Sequence, residues 1–222
     1  MNIHIHAIGD AAVQQSVDAL EYAQKLVPGD HRNTITHLQL VEPEDIKRMG
    51  ELGIIACVNV HWHFKDPSIY FEAELPFLGE ERANREYPLK SFLDAGVVIT
   101  SSGDVPITPY PNPFFAIQLG VTRNLVNAEY FQVEPITDID DPRWLLGPEE
   151  RVTVEDMVKA YTVNAAYANY LEDEIGSIEV GKFGDLIIID QDIFEIDPLQ
   201  IEKTKLLKTI FGGKVVYPKE SD

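Results

Sequence analysis

The chain opens on NIHIHAI (residues 2–8), where polar and apolar positions alternate with the period of two expected of a half-exposed strand. From residue 10 the period changes. Ala12, Val13, Val17, Leu20, Ala23 and Leu26 recur at helical spacing until Pro28-Gly29 stops them. NTITHLQL (33–40) predicts a second strand, and Pro43 opens a helix at its favoured first-turn position, closing near Leu52-Gly53. IIACVNV (54–60) is continuously apolar, as strands buried on both faces are. PLKSFLDAG (88–96) predicts a short helix ended by glycine, VVITSS (97–102) a fourth strand, and Pro113 to Arg123 a further helix. Four strand–helix alternations predict βαβ units and a parallel sheet.

Beyond residue 150 the pattern shifts. TVEDMVKAYTVNAAYANYL (153–171) predicts one amphipathic helix with a threonine cap and Glu155-Asp156 in its first turn. Short strands at glycine turns follow in GSIEVGKFGDLIIID (176–190) and KTIFGGKVVY (208–217), predicting a small β element. Two stretches are long for loops: the aromatic residues 61–87 and the acidic, proline-bearing residues 126–151. In a parallel α/β fold such loops are either substrate walls and lids or plain surface excursions.

Composition narrows the function classes. With 45% hydrophobic residues in 222, the chain has material for a sizeable core. Its 37 acidic and 18 basic residues give a net charge of −19, a field that repels phosphate backbones and argues against a nucleic-acid partner. The acids are spread along the chain and predict a solvated face. No apolar run approaches the ~20 residues of a membrane span, the first residues lack the zones of a signal peptide, and the one cysteine, Cys57, suits a reducing compartment. A cytoplasmic protein is the expectation.

Reactive groups in such folds sit where strands end. The first strand ends in His6, with His4 on the same face; the second carries His37; the third runs into Asn59, His61 and His63; the fourth ends in SSGDVP with Asp104. Singly, each histidine is as easily a packed residue and each turn aspartate a cap. Jointly, two imidazoles and a carboxylate suit zinc or another borderline divalent metal that acidifies a water, with the carboxylate moving its proton.

HAIGDAAV, THLQLVEPEDIKRMGELGIIACVN, SSGDVP, YTVNAAYA and GSIEVGKFGDLIIID, in this order, resemble the amidohydrolase superfamily, in particular its YtcJ-like branch (amidohydrolase family 3). The resemblance implies an α/β fold comprising the C-terminal half of a metal-dependent hydrolase (β/α)8 barrel, strands five to eight, over residues 1–172, with part of a small β-sandwich over 173–222. It implies His6 and His37 as metal ligands on strands five and six, and Asp104 on strand eight as metal-associated acid and base. Asn59 and His61 are placed against the substrate, and His4 is expected as an inward-pointing structural residue. The implied cofactor is a divalent metal, zinc foremost, one or two ions in the full-length family. The implied reaction is hydrolysis of an amide or other C–N bond of a small molecule.

A complete barrel alone takes about 250 residues. On this reading the chain starts in mid-barrel, without the first four strands, their paired histidines and the bridging lysine or glutamate. Isolated, it is expected to be inactive or much weakened, and its open strand edges predict a homo-oligomer. The alternative is a non-catalytic, regulatory or assembly module on a hydrolase scaffold, as in relatives labelled exoenzyme regulatory proteins.

Overall fold

A computed structural model describes residues 2–125 and 128–218. Its centre is a four-stranded parallel sheet, order β1-β2-β3-β4, made of β1 (His4–Ala7), β2 (Thr34–His37), β3 (Ile55–Val58) and β4 (Ile99–Ser101). The crossovers carry α1 (Asp10–Leu26), α2 (Pro43–Leu52) and α3 (Leu89–Asp94), and α4 (Pro113–Thr122) follows β4. The helix boundaries obey local chemistry. Pro43 sits in the first turn of α2 and Gly53, at φ 63°, closes it in the left-handed conformation. Asn112 accepts from the Phe114 amide to cap α4.

Parallel register divides the sheet into two unlike faces. Ile5, Ile35, Ala56 and Ile99 are aligned on one face and pack into the helix-covered core. The other face aligns His6, Thr36, Cys57 and Thr100, one pleat beyond His4, Thr34 and Ile55. The first face supplies the hydrophobic drive for folding, and the second is free to hold polar groups.

The stretch 153–171 is two helices, not one: α5 (Val154–Tyr161) and α6 (Val163–Ala168) meet at Thr162, φ −124° and ψ −95°. The Thr162 hydroxyl donates back to the Val158 carbonyl, and the turn lets the Asn164 side chain donate to the Ile99 carbonyl on edge strand β4. Thr153 and Asp156 form a capping box at the start of α5. Residues 61–87 are not plain loop either. They hold a π-helical turn at Tyr70–Glu74 and two short helical turns, Leu75–Leu78 and Glu80–Ala83. In 126–151 the first two residues lie outside the described ones, and Ala128–Phe131 forms a helical turn.

At the C-terminal end, β5 (Leu186–Ile189), β6 (Leu206–Phe211) and β7 (Lys214–Tyr217) form an antiparallel sheet, β6 and β7 joined through Gly212 and Gly213, both at positive φ. Residues 176–183, expected to open this sheet, form turns. The connection is not independent of the barrel strands: Ile193 and Ile201 are buried in the same core as α4, and the Glu202 amide donates to Gln118 Oε1 at 2.8 Å. Among the described residues no helix is long and apolar enough to cross a membrane.

Gly50 of α2 faces α3 so closely that a Cβ there would lie 2.1 Å from the Ala95 carbonyl oxygen. That neighbour is backbone and cannot rotate away. Gly50→Ala is therefore expected to lower stability by about 1–3 kcal/mol, despite a helix-propensity gain of about 1 kcal/mol. The urea midpoint should fall; an unchanged or raised midpoint would show that α2 and α3 separate freely.

Candidate functional site

The site lies at the C-terminal ends of the parallel strands. His6 Nδ1 is 2.9 Å from His37 Nε2, and His37 Nδ1 is 2.8 Å from Asn59 Oδ1. Asn59 Nδ2 donates to the carbonyl and hydroxyl oxygens of Ser102, each at 3.2 Å. Carbonyl oxygens only accept, so the order of donors follows. Ser102 sets the amide of Asn59, Asn59 sets the proton on His37 Nδ1, and His37 Nε2 is left as a lone pair that accepts from His6. Four strand ends are thereby joined by one directed chain of hydrogen bonds.

His37 reaches this position through its backbone. In regular register it is level with Ala7 and Val58, on the helix-covered face. Its φ of 74° instead turns the imidazole toward His6. Trp62 stacks on it, centroids 5.6 Å apart and planes 14° apart. His6 is exposed, His37 buried, and Asn59 0% exposed. Asn59, expected against the substrate, thus spends its amide on His37 and Ser102. His4, expected as a structural residue, is exposed beside His6, ring centroids 6.0 Å apart. Partial burial, then His6 and His37, hold its pKa below the usual imidazole value.

Asp104 follows β4 in a left-handed turn, φ 48°, its carbonyl accepting from the Ile107 and Thr108 amides. Two of the three expected metal-site residues therefore sit in strained backbone, as functional positions often do. The three do not close into one ligand set. His6 and His37 meet, while among the described residues no three His, Cys, Asp or Glu side chains converge on a metal position. Asp104 stands three residues past the last residue of β4, and its turn is set by its own loop.

A cavity of about 420 Å³ opens beside Trp62, walled by His61, Trp62, Phe64, Tyr110, Phe115 and Phe131. Phe77, from the same aromatic stretch, is 86% exposed and plays no part in it. His61 Nε2 donates to the Asn112 carbonyl at 3.1 Å, leaving Nδ1 buried without a partner; burial lowers its pKa. His63 is deeper, stacked on Tyr87 with 4.5 Å between centroids and no hydrogen bond to either nitrogen. Burial, with Arg123 nearby, holds it well below the usual imidazole value, so it is a neutral packing group.

Spacing in the sequence does not reveal the polar floor of this cavity. Gln39 Nε2 donates to Glu74 Oε1 at 2.6 Å and to Glu86 Oε1 at 2.8 Å. Burial, then the charge of Glu74, pushes the Glu86 carboxyl up to about 8. Behind it lies Arg123, 0% exposed, donating to the Leu146, Tyr87 and Glu86 carbonyls at 2.8, 3.0 and 3.0 Å. Burial lowers its pKa to about 10, which still leaves the guanidinium charged at neutral pH.

Comparison with known proteins places these features in context. The amidohydrolase family profile matches residues 1–217. The putative amidohydrolase YtcJ of Bacillus subtilis is 27% identical over 220 residues, covering 99% of this chain and 38% of that protein. The N-substituted formamide deformylase of Arthrobacter pascens is 28% identical over 221 residues, covering 98% and 36%. An uncharacterized metal-dependent hydrolase from Pyrococcus furiosus superimposes with a TM-score of 0.60 at 28% identity, over 82% of this chain and 32% of that one. The chain thus spans 32–38% of the length of these relatives.

Two outcomes follow from the buried charges. An unfolded glutamate releases its proton near pH 4.3, whereas folded Glu86 keeps it to about 8. Stability is therefore highest on the acid side of this window and falls as pH rises toward 8. His61 and His63, held low by burial, act mainly below this window, whereas Glu202, pushed up to about 7 by burial, adds a smaller loss of the same sign. Over the range from pH 7 to 8 a loss of about 1 kcal/mol is expected, most of it removed in Glu86→Gln; equal denaturant midpoints for the parent protein at both pH values would contradict it. Arg123→Met, which strips three buried carbonyls of their donors, should cost more than about 3 kcal/mol. Arg123→Lys should recover little of that, since one ammonium cannot span the fork.

Proposed function

The chain belongs to the amidohydrolase family, and on that premise we propose that it carries the strand-end half of a metal-dependent site for hydrolysing an amide or related C–N bond. The observation that carries this reading is the pairing of His6 and His37 at 2.9 Å, with the tautomer of His37 set by Asn59. Metal-ligating histidines usually donate their second ring N–H to an oxygen acceptor, which fixes the ring and raises its basicity. His37 has that arrangement.

In this reading His6 and His37 hold a divalent cation, zinc foremost, whose chemistry when bound is Lewis acidity and an acidified water. Asn59 is a positioning residue acting through His37. Asp104, half-buried at the end of the neighbouring strand, takes and returns the proton. His61 lines the cavity and is placed against the substrate, and the aromatic wall takes the substrate's apolar part. N-substituted amides, the class named for the Arthrobacter relative, are the first small molecules to test. A second reading, an assembly module on the same scaffold, draws on the exposed apolar residues of the C-terminal sheet: Ile187, Phe211, Val215 and Tyr217 are each more than half exposed. Light scattering addresses it, since a monomer at all concentrations would leave that face without a partner copy.

Elemental analysis after equilibrium dialysis against zinc tests the first reading. Near-stoichiometric zinc is expected in the parent chain, none in His37→Ala, and affinity about 10–100-fold weaker in Asn59→Leu. Asp104→Asn should keep the metal and remove whatever hydrolysis the half-site retains. Zinc content that ignores His37→Ala would end the proposal.

A further inference from the structure

The cavity beside Trp62 has an aromatic wall and an acidic floor, and the hydrolytic reading above makes no use of the floor. Gln39 Nε2 donates one proton to Glu74 and the other to Glu86, drawing both carboxyl groups to one nitrogen. Carboxyl groups held so close do not both ionise at neutral pH; the pair shares one proton and keeps one negative charge. Glu74 itself lines the cavity, and so does Asp66, whose Oδ1 accepts from the Ser68 and Ile69 amides. The Glu86 side chain is fully buried and its Oε2 has no donor.

Among the described residues no lysine or arginine pairs directly with Glu74 or Glu86. Arg123 spends its guanidinium on backbone carbonyls, and Lys65 lies over the Tyr70 ring, 5.3 Å from its centroid. Aromatic faces are themselves electronegative, and a cation held between such faces and a carboxylate gains from both. A neutral apolar ligand would fill the wall equally well and leave the floor without a partner.

We propose that this cavity selects ligands in which an ammonium or guanidinium nitrogen is attached to an apolar or aromatic group. The nitrogen meets Glu74, with Glu86 buried behind it across Gln39, and the apolar part lies against Trp62 and Phe115. Glu74 is the specificity-determining residue, and Gln39 positions it. That the ligand is the substrate's own nitrogen-bearing part rests on the hydrolytic reading of His6 and His37; that it binds does not.

The test uses the full chain without added metal, so its result is independent of zinc content. With Trp144→Phe, Trp62 becomes the sole tryptophan reporter, the chain having two. Benzylammonium and benzyl alcohol are titrated at pH 7 and fluorescence is followed. Benzylammonium is expected to saturate the signal at concentrations at least about tenfold lower than benzyl alcohol. Glu74→Gln should bring the two within about threefold, with near-ultraviolet circular dichroism unchanged; Glu86→Gln serves if that variant does not fold. Equal affinities in the parent chain, a preference that survives both variants, or no saturable signal with either compound would overturn the proposal. A positive result beside zinc-independent His37→Ala data would leave the cation site standing and remove only its link to hydrolysis.

Discussion

Arg123 is a full charge with no solvent, and the arrangement around the cavity depends on how that charge is answered. Among the described residues no carboxylate pairs with it. Its fork is met by three carbonyls, two from the Glu86-Tyr87 step and one from Leu146, while its own carbonyl accepts from the Leu146 amide. Carbonyl dipoles stabilise a guanidinium without consuming a second buried charge, whose desolvation would cost several kcal/mol. One residue at the end of α4 thereby fastens both long excursions, 61–87 and 126–151, to the sheet. Tyr87 is held at φ 59° and the buried Glu86 carboxyl is brought to Gln39, behind the cavity floor. Without that anchor the wall and floor would be two loops of indeterminate relation.

The strand ends depend on a different constraint. A parallel sheet covered by helices has one face committed to apolar contact, and residues in phase with that face are unavailable for chemistry. His37 is in phase with it. Its left-handed backbone releases the imidazole from the pleat, and stacking on Trp62 with bonding to Asn59 offsets the conformational cost. The same Trp62 walls the cavity, so the histidine pair and the aromatic wall share a side chain.

Much of the fold was legible from periodicity. The four strands, α1, α2 and the helix ending at Arg123 follow from apolar spacing, proline at helix starts and glycine at helix ends. Their strand-end histidines could be nominated because βα topology says where chemistry gathers. What escaped depends on long-range partners. The break at Thr162 answers to a carbonyl on β4, 65 residues distant from the Asn164 amide that reaches it. Asn59 read as a substrate contact because nothing local shows that His37 and Ser102 absorb its amide. Gln39, Glu86 and Arg123 look like ordinary polar residues of loops and caps, since their meaning lies in who faces them. His37's turn toward His6 was likewise invisible, because alternation assigns faces only while the strand stays regular.

The hydrogen bonds from His6 to His37 to Asn59 to Ser102 all point one way, and that direction is information. A neutral imidazole has two tautomers; with its partner amide removed, His37 would populate both, and part of the molecules would offer the wrong nitrogen. The loss would be one of population, with every atom still in place: a mixed ensemble in which each molecule is folded and only a fraction is competent. Ser102, which touches neither histidine, thus holds one end of a choice made at the other. A methyl group where its hydroxyl stands would loosen that choice without moving the strand.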